Sequence, residues 1–154
     1  MSSKMISETF SANDFTMGPP VPMEALPLLE RFYNEVILPV KLKFGTLLAT
    51  SGNRSVESNA EAHGQPNSHH IYTAEHVALD FFSPNVPSRS IFDWMRNDPT
   101  LPYNQLILEA GSMGTSIIHV SMNLAAPGVR SVLTGATHNS AKYLPAEHVD
   151  FQSV

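Results

Sequence analysis

Apolar residues recur at three- and four-residue intervals early in the chain, where Leu28, Leu29, Phe32, Val36, Ile37 and Val40 are separated by Glu30, Arg31, Asn34 and Glu35. That spacing predicts an amphipathic helix with one face in a core. Pro39 lacks an amide hydrogen and predicts a kink or an end to the regular part, and Gly45 predicts the stop. Beyond it the period changes. Leu47, Leu48 and Ala49 predict a short buried strand, and Val77-Ala78-Leu79-Asp80-Phe81-Phe82 predicts one whose Val77, Leu79 and Phe81 face one side while Asp80 faces the other. Ser88 reads as the N-cap of a short helix carrying Ile91, Phe92, Trp94 and Met95, closed by Asn97-Asp98-Pro99. Strands over 105–109, 116–122 and 131–134 follow. Residues 1–22, rich in Ser, Asn, Gly and Pro, predict an irregular lead-in without regular elements, and 23–154 a single domain. A helix followed by mostly antiparallel strands on short connections predicts an α+β fold, a small, mostly antiparallel sheet with helices packed on it.

Composition narrows the chemistry. With 154 residues the chain suits one core, and 42% hydrophobic residues supply enough material to fill it. Nine Lys and Arg against fourteen Asp and Glu leave a net charge of −5 with no basic cluster, which argues against nucleic acid or an anionic membrane as partner. No apolar run approaches the ~20 residues that cross a bilayer. The N-terminus lacks the apolar stretch of a signal peptide, so a soluble chain, not exported by the usual signal, is expected. The absence of cysteine excludes disulfides, thiolate metal sites and a Cys nucleophile, so that any metal must be held by His and carboxylate. The seven histidines therefore carry weight.

Three strand-like runs each hold one ionisable residue among apolar or small neighbours: Asp80, Glu109 and His119. Burying such a group alone costs several kcal/mol, so three in one small sheet point to pairing or to shared coordination. The pair His69-His70 lies just upstream of Asp80, and 51–70 is a long polar stretch of the kind that carries function. Two His and one acid suit zinc and leave a fourth position for water, with Glu109 free to act as a base. The residues alone admit plainer readings. His119 could be a hydrogen-bonded core histidine, Asp80 could cap a turn or pair with Arg89 or Arg96, and Glu109 could end a strand at the surface. His63, His138 and His148 read as solvated.

Several motifs, in order, resemble those of the zinc peptidases of peptidoglycan stem peptides, the D-Ala-D-Ala carboxypeptidase group and the related phage endolysins. Ser51-Gly52-Asn53-Arg54-Ser55 resembles the family's Ser-Gly-Tyr-Arg-Ser loop, and Asn59 an Asn in the following turn. Ser68-His69-His70 resembles its Ser-x-His, and Ala78-Leu79-Asp80 its Ala-x-Asp. Gln105-Leu106-Ile107-Leu108-Glu109 and Ile118-His119-Val120-Ser121 are similar to two of its strands, and Gly128-Val129-Arg130-Ser131-Val132-Leu133 to a run near its end. The resemblance implies a hedgehog/D-Ala-D-Ala-peptidase-like architecture and zinc held by His70, Asp80 and His119. It makes Glu109 the catalytic acid/base, and gives Arg54 and Ser68 to the substrate. It further implies a phage-encoded enzyme made in the host cytoplasm. Such an enzyme would act on peptidoglycan stem peptides at the cell wall, free or beside other virion proteins.

The chain departs from the pattern in three places. His70 and Asp80 stand ten positions apart, wider than in the family. Either a three-residue insertion in the ligand loop, in the gap that holds Tyr72, Thr73, Ala74 and Glu75, reconciles them, or Thr73 takes the ligand position and His76 the glycine position, which makes His76, four before Asp80, the reserve ligand. Ser116 stands where many members carry the catalytic acid, so Glu109 must act from the neighbouring strand, and Ile117 replaces an aromatic residue. These departures support a rival reading, a phage structural or wall-binding protein that keeps the fold with little or no turnover. A third is a metal-free scaffold in which His70, Asp80 and His119 form a buried hydrogen-bond network.

Overall fold

The computed structural model describes residues 5–7, 10–11, 21–53, 60, 68–110, 116–135 and 144–145. A 3-10 turn at Met23–Ala25 leads into α1 (Leu26–Phe32), a π-helical segment (Tyr33–Ile37) and α2 (Leu38–Phe44), which run on as one continuous rod. The predicted apolar face is the buried one, from Leu28 to Val40. Pro39 does not end the rod. Its ring would collide with the carbonyl of Glu35 four residues back, and that carbonyl lies within the π segment, where the wider hydrogen-bond ladder makes room. Gly45, at φ +85°, then stops it.

Six strands form one sheet, in the spatial order Leu48–Ser51, His76–Phe82, Ser116–Asn123, Gln105–Ala110, Ser131–Gly135 and Leu144–Pro145. They are β3 (Leu48–Ser51), β4 (His76–Phe82), β5 (Gln105–Ala110), β6 (Ser116–Asn123), β7 (Ser131–Gly135) and β8 (Leu144–Pro145). Every pairing is antiparallel except β5 with β7, which is parallel, so the sheet is mixed and the fold is α+β. Alternation sorts the side chains cleanly. Val77, Leu79 and Phe81 of β4, Ile118, Val120 and Met122 of β6, and Leu106 and Leu108 of β5 join the helices in the core. The same core takes Ile91, Phe92 and Met95 from α3 (Ser88–Asn97). The opposite face presents Asp80, His119, Ser121, Gln105 and Glu109.

Three local expectations are corrected. The lead-in is not wholly irregular: β1 (Met5–Ser7) and β2 (Phe10–Ser11) pair as a small antiparallel hairpin, two runs too short for a composition rich in Ser and Asn to reveal. The strand after Gly45 is an edge strand rather than a buried one, with Leu48 43% exposed, because among the described residues only β4 flanks it. Ser88 is the first helical residue after an N-cap at Pro87, and its hydroxyl donates to the Ser116 carbonyl at 2.7 Å, tying α3 to β6 instead of capping the helix.

Candidate metal centre

Register brings the first two candidate ligands together, since Asp80 of β4 lies directly opposite His119 of β6 on one face of the sheet. The third arrives on the turn that follows the long polar stretch. Ser68 organises that turn: its hydroxyl oxygen accepts the His70 amide at 3.2 Å and its carbonyl accepts the Ile71 amide at 3.1 Å. A bulge between Ala49 and Ser51 in β3 aligns Ser51 with Asp80, and the next residue, Gly52, turns its carbonyl to His70. Asn53 completes the support by accepting the Tyr72 amide on its side-chain oxygen at 3.2 Å.

His70 Nε2 lies 3.1 Å from Asp80 Oδ1 and 3.2 Å from His119 Nδ1, and His119 Nδ1 lies 2.9 Å from the same Asp80 oxygen. All three residues are buried. The outward nitrogens are committed. His70 Nδ1 donates to the Gly52 carbonyl at 2.8 Å, and His119 Nε2 donates to Gln105 Oε1 at 2.9 Å. With those nitrogens carrying the hydrogens, the inward nitrogens of two neutral imidazoles are lone pairs, both directed at a carboxylate oxygen. Three acceptors at such distances repel one another unless positive charge sits among them. One proton can serve only one pair, because two N–H groups facing at 3.2 Å would themselves repel. A metal ion satisfies all three. Tetrahedral ligands at about 2.0–2.1 Å from zinc lie roughly 3.3–3.4 Å apart, so the observed triangle needs to open by only a few tenths of an ångström.

Electrostatics agree with the geometry. Burial pushes the Asp80 carboxyl up, but positive charge at the adjacent His70, and hydrogen bonds donated by His119 or His70 when either carries an inward proton, outweigh it, so charge at this point holds the group well below the usual carboxylate range. The buried group His70, Asp80 and His119 is thus able to hold a metal ion. Neither Arg89 nor Arg96 takes Asp80, since both pair with Asp93.

The wide spacing between His70 and Asp80 is absorbed in a compact turn. The Thr73 hydroxyl oxygen accepts the amides of Glu75 at 3.0 Å and His76 at 3.2 Å, while the Thr73 amide donates to the His76 carbonyl at 3.0 Å. Thr73 therefore braces a turn, and the buried candidate cluster is made by His70, Asp80 and His119. His76 stands two turns of the strand alternation before Asp80, outside the cluster; its ring lies 5.1 Å from that of His69. Its Nδ1 is buried and finds no hydrogen-bond partner among the described residues.

Glu109 is buried at 3% exposure on the metal-site face, but it pairs in register with Ile117, whereas Ile107 faces His119. It is a diagonal neighbour of His119, about 7–8 Å away by the usual geometry of sheets and within reach of a long side chain. Arg54 lies outside the described residues, as do Asn59, His63, His138 and His148. Sequence reasoning gave no role to Gln105, Ser121 or Gly52. Alternation does place Gln105 with Glu109 and Ser121 with His119, so two of them carried a signal; a backbone carbonyl carries none. No protein-family model matches the chain, and no curated protein matches it.

Proposed function

We propose that the chain is a zinc-dependent peptidase acting on amide bonds of peptidoglycan stem peptides, phage-encoded and working at the bacterial wall. In this reading the domain has the hedgehog/D-Ala-D-Ala-peptidase-like architecture that its motifs suggest. The observation that carries the reading is the convergence of His70 Nε2, Asp80 Oδ1 and His119 Nδ1 within 2.9–3.2 Å, with both outward nitrogens held by acceptors. Two His and one carboxylate form the ligand set of a hydrolytic zinc site with an open position. When bound, zinc polarises a carbonyl and brings the pKa of water to about 7.

The remaining steps belong to the chain. Glu109, buried beside the ligands, takes the proton from the attacking water and returns it to the departing amine. Arg54 meets a substrate carboxylate with two parallel hydrogen bonds. Ser68 holds the ligand turn through its oxygen and leaves its O–H for a substrate carbonyl.

The test is to incubate the zinc-loaded full chain with purified peptidoglycan and follow new amino and carboxyl termini. Release is expected, and Glu109→Gln should lower it by about 10²–10⁴-fold while zinc content stays unchanged. A chain that holds one zinc yet releases nothing would instead be the wall-binding or structural protein.

A further inference from the structure

His69, the residue between Ser68 and the ligand His70, has both ring nitrogens engaged. Its Nδ1 lies 2.8 Å from the Ser121 hydroxyl, and its Nε2 lies 3.4 Å from the side-chain nitrogen of Asn123. The orientation of that amide is set independently, because Asn123 Oδ1 accepts the Ala125 amide at 3.0 Å. Asn123 therefore presents N–H groups to His69, whose Nε2 must be the acceptor and whose Nδ1–H must donate to Ser121. Ser121 is fully buried on β6, two residues from His119 on the same face, and opposite Gln105, which holds the outward nitrogen of His119. One imidazole thus fastens the turn that carries His70 to the strand that carries His119.

We infer that His69 is a positioning residue for the metal centre: by locking to Ser121 and Asn123 it sets the separation between His70 and His119 and so the affinity of the site. The inference rests on the proposed zinc site. It follows from chain connectivity. His70 reaches the cluster from a turn joined to the sheet by the hydrogen bonds of Gly52 and Asn53 on the β3 side. Without the link to β6 the turn keeps its anchors on β3 and, through the Tyr72 hydroxyl on the Ala78 carbonyl, on β4, but loses the one beside His119, and the 3.2 Å approach of His70 Nε2 to His119 Nδ1 is no longer enforced from that strand. Groups that orient metal ligands from behind typically change affinity by about 10–100-fold when removed.

Zinc titration of the full chain, wild type against variants, tests this. His69→Ala and Ser121→Ala are each expected to weaken zinc about 10–100-fold while keeping one zinc per chain and an unchanged far-ultraviolet circular dichroism spectrum. His69→Gln, whose amide can bridge the same two partners, should recover most of the loss. In the cobalt-substituted protein the visible bands of His69→Ala should shift, because the ligand geometry has changed. His70→Ala should abolish binding and thereby verify the zinc site itself. Wild-type affinity in both His69→Ala and Ser121→Ala overturns the inference and leaves the zinc site standing. A loss of stoichiometry in His69→Ala also overturns it, by making His69 a ligand. No binding by the wild type overturns both.

Discussion

A histidine in this protein is defined by what its far nitrogen touches. His70 and His119 are able to serve as ligands because Gly52 and Gln105 take their outward N–H groups. His69 is held neutral by a different route: burial first, and then the neighbouring His76, His119 and His70, lower its pKa from 6.5 to about 4. The sign of the consequence for stability follows from proton counting. Between those two values the unfolded chain binds a proton at this residue that the folded chain does not, so acidification through that window favours unfolding. Asp80 acts in the same direction at lower pH, since a carboxyl held below its usual range contributes stability that is present above about pH 4 and lost as pH falls further. In metal-free protein the urea midpoint should therefore fall steadily from pH 6.5 to 4, and His69→Gln should flatten the upper part of that slope. A slope that the substitution leaves unchanged would place the proton uptake elsewhere.

At the level of elements, the parts with a regular period were legible and the parts that depend on a local exchange of hydrogen bonds were not. The face from Leu28 to Val40 and the alternation around Asp80 are repeated many times over, so each identifies its element even when one residue misleads. The π segment before Pro39 and the bulge in β3 each turn on a single position, and no periodicity announces them. Asp80 and His119 belong to the first class, because each interrupts an apolar strand. The choice of His70 over His76 belongs to the second, because it is decided by the turn over 72–76. Thr73→Val tests that turn. Removing the hydroxyl frees the amides of Glu75 and His76, which should lower unfolding stability by about 0.5–1.5 kcal/mol in urea titrations. Zinc affinity should fall with it, since the turn carries the residues that make up the wide spacing between His70 and Asp80. Stability lost without any change in affinity would show that the anchors on either side of His70, at Gly52, Asn53 and His69, hold it in place without the Thr73 turn.

For the molecule as a whole, the two faces of one sheet have opposite jobs. The face under the helices is closed by apolar side chains, whereas the other gathers His70, Asp80 and His119 from segments that are distant in sequence and joined only by the fold. Such a cluster calls for positive charge at its centre, because three acceptors are held 2.9–3.2 Å apart in a buried place. The unfolded chain has no comparable site, so zinc held here would bind the native state preferentially and its binding free energy would add to the stability of the fold. At a free zinc concentration one hundred times the dissociation constant the gain is about 2.7 kcal/mol. For a chain of this size each kcal/mol raises the melting temperature by about 2–4 °C, which gives an expected rise of roughly 5–11 °C. Differential scanning calorimetry with zinc and with a chelator measures it directly. His119→Ala should abolish the zinc-dependent rise without removing the cooperative transition, since the core on the other face contains neither imidazole. If zinc leaves the transition where the chelator put it, the three acceptors are instead bridged by a shared proton, and the metal-free network is the correct description of this face.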